Sequence, residues 1–159
     1  MGAISETLID TIYNYRKLSP LIATGGQPDE SELQNLSTEN FYAVINLGLD
    51  DTDYAVPDEK LIVESQGIQY IHIPVSFVAP NPAHYFEFEK QLRALTGKKI
   101  LIHCAANKRV SVFMALFRIL NQQVVYAEAM QQVTVIWHPD NIWQGFIQKI
   151  MQLSDTAHQ

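Results

Sequence analysis

Short, mainly apolar runs alternate along this chain with segments whose apolar residues return at every third or fourth position. The runs are Leu21 to Thr24, Tyr42 to Leu47, Gln69 to Ile73 and Lys99 to His103. Each is of strand length. The first is stopped by Gly25-Gly26, the second by Gly48 and the third by Pro74, so all four read as strands. The periodic segments read as helices. Leu8, Ile9, Ile12 and Tyr13 have helical spacing, and Asp29 and Glu32 have the spacing of a capping box ahead of Leu33 and Leu36. Pro57 opens a helix carrying Leu61, Ile62 and Ser65, with Gly67 as its stop. Pro82 opens another, with Tyr85, Phe88, Leu92 and Leu95 as its stripe and Gly97 as its C-cap. Val110, Phe113, Met114, Phe117 and Leu120 form the most regular stripe. Two further helices are predicted, on Tyr126, Met130, Val133 and Trp137 and on Ile142, Phe146 and Ile150. Apolar strands joined through helices predict an α/β domain of three layers, with a short, mainly parallel central sheet flanked by helices.

The remaining sequence adds no second unit. There is no internal repeat and no long Pro/Gly/Ser linker, and 159 residues suit one domain, residues 1–159. A composition of 47% hydrophobic and 18% charged residues supports an ordinary buried core. The formal net charge of -6 repels nucleic acid and anionic membranes, so neither is expected as a partner. An anionic ligand must then be held by a local positive site, which Lys108-Arg109 can supply. A single cysteine excludes an intramolecular disulfide and Cys-rich zinc sites. His72 and His84 are isolated, no metal-ligand spacing links the histidines, and no cofactor is expected. Met1 to Glu6 show no basic region leading into an apolar core, and no apolar run is long enough for a membrane span, which predicts a cytoplasmic protein.

Candidate chemistry collects in one stretch. Ile100 to Leu116 reads as strand, loop and helix, with the only cysteine, Cys104, directly after the strand. In parallel α/β sheets, ligands bind where strand ends turn into helices. A short loop into a helix N-terminus presents backbone N–H groups to an anion. A thiol held there is stabilised as the nucleophilic thiolate. Arg109 adds a planar, permanently charged fork for two oxyanion oxygens. Nucleophile, anion cradle and clamp thus fall within Cys104-Ala105-Ala106-Asn107-Lys108-Arg109, and the expected partner is a phosphorylated substrate or a phosphate- or sulfate-like anion.

The stretch His103 to Ser111 resembles the His-Cys signature loop of cysteine-dependent tyrosine and dual-specificity phosphatases. The resemblance extends through Ala23 to Pro28, Val44 to Leu47 and Gly67 to Val75. Within that superfamily the chain is most similar to the phosphatase-like domain of bacterial β-lactamase-hydrolase-like proteins. The resemblance implies phosphomonoester hydrolysis, with Cys104 attacking phosphorus, Arg109 and the amides of Ala105 to Arg109 holding the oxygens, and His103 and Ser111 as auxiliaries. His103 is expected to hydrogen-bond near the loop. Ser111 is expected either to contact the thiolate or to act as a helix-start cap. Lys108 is expected at the surface, and Trp137, His138 and Trp143 as packing residues.

Two features depart from the family pattern. The family spaces its arginine as Cys-x5-Arg around a central glycine; here the spacing is Cys-x4-Arg, with Asn107 where glycine is expected. An ungapped alignment would put Val110 on the arginine position. Asparagine is the non-glycine residue that best tolerates positive φ, so the loop can still curl. The shorter spacing is shared with rhodanese loops, which carry a sulfane sulfur. The family also supplies an Asp from the loop corresponding to Ser76 to Pro82, and here that loop has no carboxylate. Asp50, Asp51 and Asp53 are either substitutes or a solvated surface loop, the second being favoured. Gly25, Gly26 and Gln27 either line the site or form a turn. A phosphate-binding pseudophosphatase and a persulfide sulfurtransferase stand as alternatives to the phosphatase.

Overall fold

The computed structural model describes residues 8–157 and has the α/β architecture expected. Five strands, β1 (Arg16–Lys17), β2 (Ile22–Gly25), β3 (Ala43–Asn46), β4 (Gln69–His72) and β5 (Ile100–His103), form one sheet in the order β1-β2-β5-β3-β4. All neighbours are parallel except β1, which runs antiparallel to β2 at the edge. Helices α1 (Glu30–Gln34), α2 (Glu59–Glu64), α3 (Pro82–Ala94), α4 (Lys108–Asn121), α5 (Tyr126–Thr134) and α6 (Asn141–Ala157) complete the layers. No described helix is long and apolar enough to cross a membrane. The absence of a leader expected over Met1 to Glu6 lies outside the described residues.

Successive strand residues face opposite sides of a sheet, and the two central strands use both sides. Ala43, Ile45, Ile100 and Ile102 face the larger core under α3, α4, α5 and α6. Val44 and Leu101 face a smaller core with Ile9, Ile12, Leu33, Leu36, Phe41 and Val63. Rings anchor the larger core: Tyr85, Phe88, Phe113, Trp143 and Phe146 lie within 5.2 to 6.3 Å of one another in successive pairs. This fixes α4 on the sheet and therefore fixes where its first turn stands.

The capping box forms as predicted: Asp29 accepts from the Glu32 amide at 2.7 Å and Glu32 accepts from the Asp29 amide at 2.8 Å. Asn81 caps α3 by accepting from the Ala83 amide, and Gly67 and Gly97 take φ of 77° and 84° just beyond α2 and α3. The N-terminal helix expected through Tyr13 is instead one 3-10 turn, Leu8–Thr11, in the described residues. Ile9 within it and Ile12 just after it are buried, and Asn14 at φ 52° turns the chain away into β1. β1 itself has no apolar signal, since Arg16 and Lys17 are both exposed on an edge.

The registers place Gly25 and Asn46 on either side of His103, so β2, β3 and β5 end level. The segments after those three strands consequently leave the sheet side by side.

Candidate active site

Cys104 follows β5 directly and is almost wholly buried. Its amide donates to Gly25 O at 3.3 Å. The next two carbonyls are tied to the N-terminal segment, Ala105 O accepting from the Gln27 amide at 2.9 Å and Ala106 O from Asn14 Nδ2 at 3.0 Å. In a planar trans peptide the following N–H points opposite to the carbonyl. Tying Ala105 O outward therefore turns the Ala106 N–H the other way. Among the described residues, no protein acceptor meets the N–H groups of Ala105, Ala106, Lys108 or Arg109. Asn107 has φ 66° and precedes the right-handed residues of α4, a left-then-right pair that gathers amides into an anion-binding concavity.

Close approach of backbones makes this loop. A Cβ on Gly26 would lie 2.5 Å from Ala105 O, and one on Gly25 would lie 2.8 Å from Ile12 Cγ2. Gly26 thus lets the loop pack against the segment after β2, and Gly25 lets the end of β2 pack against Ile12. Asn107 does more than accept a positive φ. Its Nδ2 donates to Asn14 O at 2.9 Å and Thr24 Oγ1 at 3.0 Å, which staples the loop to two other segments.

The structure decides the arginine register. Val110 is completely buried in the core, whereas the Arg109 side chain runs to the loop after β4. There Nη1 donates to Val75 O at 2.8 Å and Nη2 to the Tyr54 hydroxyl at 3.3 Å. The guanidinium carbon sits 5.9 Å from the Tyr54 ring centre and 6.0 Å from that of Phe77. Arg109 is only 4% exposed, yet among the described residues no carboxylate stands within 4.0 Å of it. A buried cation is costly unless an opposite charge accompanies it. The unfilled donors of Arg109 and the loop amides are what an anion could accept from, which makes this loop a candidate anion site.

His103, fully buried, places Nε2 2.5 Å from Glu59 Oε2 and Nδ1 3.3 Å from Cys104 O. The other Glu59 oxygen accepts from Gln27 Nε2 at 2.8 Å. Burial alone would raise the Glu59 pKa, but the charge of His103 and hydrogen bonds from His103 and Gln27 outweigh it and hold the carboxyl below its ordinary value. A chain of contacts thus runs from Gln27 through Glu59 and His103 to the backbone of the cysteine.

The other residues singled out by sequence are placed as follows. The Ser111 hydroxyl donates to Lys108 O at 2.6 Å and accepts from Trp137 Nε1 at 3.0 Å. Lys108 is exposed, its ammonium over the rings of Phe77 and Trp137. Phe77 is held in turn by Trp143 Nε1, which donates to its carbonyl at 2.8 Å. The Ser76 to Pro82 loop therefore presents a ring, not an acid, beside Arg109. Asp51 and Asp53 are exposed, and Asp50 turns outward to His72, 3.7 Å away with an 83% exposed side chain. The residue of that loop that reaches the site is Tyr54. Among the described residues no three His, Cys, Asp or Glu side chains are grouped to hold a metal.

Three contributors were not visible in the sequence. Glu59 looks like any acid in the first turn of a helix, Tyr54 sits in a polar loop, and Asn14 lies far away in the chain. Only the tertiary structure brings them to the segment from His103 to Arg109.

No protein-family model and no curated protein matches the chain. Solved structures do. A protein of the DUF442 group from Shewanella putrefaciens CN-32, provisionally named a phosphatase, superposes with a TM-score of 0.82 at 26% identity, over 92% of this chain and 97% of its own. Tk-PTP in its active form gives a TM-score of 0.71 at 22% identity, over 87% and 97% of the two chains. The core catalytic domain of the PP-IP phosphatase SIW14 from S. cerevisiae, in complex with citrate, gives 0.71 at 16% identity, over 92% and 94%. The chain therefore shares the fold of these structures, the SIW14 phosphatase domain among them.

Proposed function

We propose that this protein is a cysteine-dependent phosphatase that hydrolyses phosphomonoesters through a thiophosphate on Cys104. The observation that carries the reading is Arg109, buried with no carboxylate within 4.0 Å among the described residues, beside a loop whose Ala105, Ala106, Lys108 and Arg109 amides meet no described acceptor. A dianionic phosphoryl group supplies what both lack. The neighbours support the chemistry, since the SIW14 domain is named a phosphatase and was solved with an anion, citrate. In the first step the Cys104 thiolate attacks phosphorus while Arg109 and the amides of Ala105, Ala106, Lys108 and Arg109 stabilise charge on the equatorial oxygens. Water then cleaves the S–P bond and restores the thiolate. His103, held by Glu59, fixes the start of the loop through Cys104 O.

One observation favours a second reading. The loop has four residues between Cys104 and Arg109, one fewer than the family pattern, and no carboxylate in Ser76 to Pro82. A persulfide on Cys104 needs neither the extra room nor an acid. The deciding experiment measures release of phosphate from an aryl phosphate beside transfer of sulfur from thiosulfate to cyanide, with wild type and Cys104→Ser. Phosphate release lost in Cys104→Ser, together with protection of Cys104 from iodoacetate by inorganic phosphate, supports the phosphatase. Sulfur transfer without phosphate release selects the second reading, and phosphate protection with neither activity leaves a binding protein.

A further inference from the structure

We infer that Tyr54 is the proton donor to the leaving group, in place of the carboxylic acid that the Ser76 to Pro82 loop lacks. The inference rests on the phosphatase reading and assigns its missing role. Tyr54 lies in the loop after β3, where Asp50, Asp51 and Asp53 turn outward and its own side chain turns in.

Its hydroxyl oxygen accepts two hydrogen bonds, from the Leu49 amide at 2.8 Å and from Arg109 Nη2 at 3.3 Å. A phenolic oxygen has little accepting capacity beyond two such bonds, and its O–H remains to be donated. Among the described residues no acceptor receives that proton. The hydroxyl is thus a donor aligned by two contacts, beside the group that clamps the phosphoryl oxygens. The seat is built for the ring. Gly48 leaves it room, since a Cβ there would lie 3.2 Å from Tyr54 Cε1 and 3.4 Å from its hydroxyl oxygen. The Arg109 guanidinium carbon lies 5.9 Å from the ring centre.

The step balances as follows. The Cys104 thiolate forms the S–P bond as the bond from phosphorus to the leaving oxygen breaks. The Tyr54 proton passes to that oxygen, which departs as a neutral alcohol. The phenolate, beside Arg109, then takes a proton from the water that attacks the thiophosphate. Phosphate leaves with both Tyr54 and the Cys104 thiolate restored.

The test compares kcat/KM for wild type and Tyr54→Phe across aryl and alkyl phosphates, with vanadate affinity measured on both. The phenylalanine keeps the ring against Gly48 and Arg109 and removes only the hydroxyl. Loss of a general acid typically lowers rates by about 100- to 10,000-fold where the leaving group needs protonation. The expected result is a loss of that size on alkyl phosphates, less than about 10-fold on a nitrophenyl phosphate, and a steeper dependence on leaving-group basicity in the variant. An equal loss on every substrate, with weakened vanadate binding, would mean that Tyr54 only positions Arg109 and would overturn the inference. Equally steep dependence in wild type and variant would overturn it too, while leaving the phosphatase reading intact. No turnover by wild type would overturn both.

Discussion

Removing the Glu59 carboxylate should destabilise the fold, because buried His103 and half-buried Gln27 both depend on it. Glu59 and His103 are 5% and 0% exposed, and Glu59 also satisfies Gln27. Truncation in Glu59→Ala leaves buried His103 Nε2 without a partner and takes from Gln27 Nε2 one of its two acceptors, Pro28 O remaining. Breaking a buried pair by deleting one member costs about 3–5 kcal/mol. A domain of this size has only about 5–15 kcal/mol in total. With a urea slope of about 2 kcal/mol/M, the unfolding midpoint should fall by about 2 M. Glu59→Gln keeps the shape but turns an N–H toward one of two donors, and should cost about 1.5–3 kcal/mol.

The sign of the pH dependence follows from the direction of the Glu59 shift. Its carboxyl is held below the ordinary 4.5 in the folded state. Its contribution is therefore complete above that value and disappears as pH falls through the folded-state pKa. The gap between wild type and Glu59→Gln, measured by urea unfolding in steps of pH, should be constant near neutrality and shrink below pH 4.5. A loss under about 1 kcal/mol in Glu59→Ala, or a gap that does not shrink in acid, would refute the reasoning.

Arg109→Lys keeps the charge but not the fork, and should weaken vanadate or phosphate binding by about 100-fold or more, whereas Lys108→Ala, at an exposed position, should change it by less than about 3-fold; isothermal titration of both variants checks this, and equal effects would show that Arg109 is not the clamp. Gly26→Ala must push Ala105 O aside from 2.5 Å and should lose about 1–3 kcal/mol of stability together with anion binding. Gly145→Ala, in α6 with nothing within 4 Å of the added carbon, should instead gain about 0.5–1 kcal/mol in urea unfolding.

Much of the fold was legible because its signals are local. Asp29 and Glu32 announce a capping box at fixed spacing, Asn81-Pro82 announces a helix start, and β3 and β5 are apolar on both faces because both faces are covered. The Cys104 to Arg109 loop could be singled out as a candidate for the same reason, since a cysteine, an asparagine at positive φ and an arginine lie within six consecutive residues. Strand β1 was not, because an exposed edge of two cations carries no periodicity. The N-terminal stripe overstated a helix, because Ile9 and Ile12 are buried by a single turn as well as by several.

What the sequence by itself determined was the layered α/β fold, the place of the cysteine at a strand end, and the candidate loop. What only the tertiary structure decided was the company that loop keeps. The parallel register sets the ends of β2, β3 and β5 level. That alignment brings Gln27, Tyr54, Glu59 and Val75 to a loop they are remote from in the chain. It also settles whether Val110 or Arg109 faces the site. The reason is the core: the side chain at 110 is packed under α4 against the sheet, and the neighbouring position on the helix is thereby turned toward the strand ends. Residue spacing can single out a candidate nucleophile and a candidate clamp. The charges and donors around them are chosen by which strands the core holds side by side.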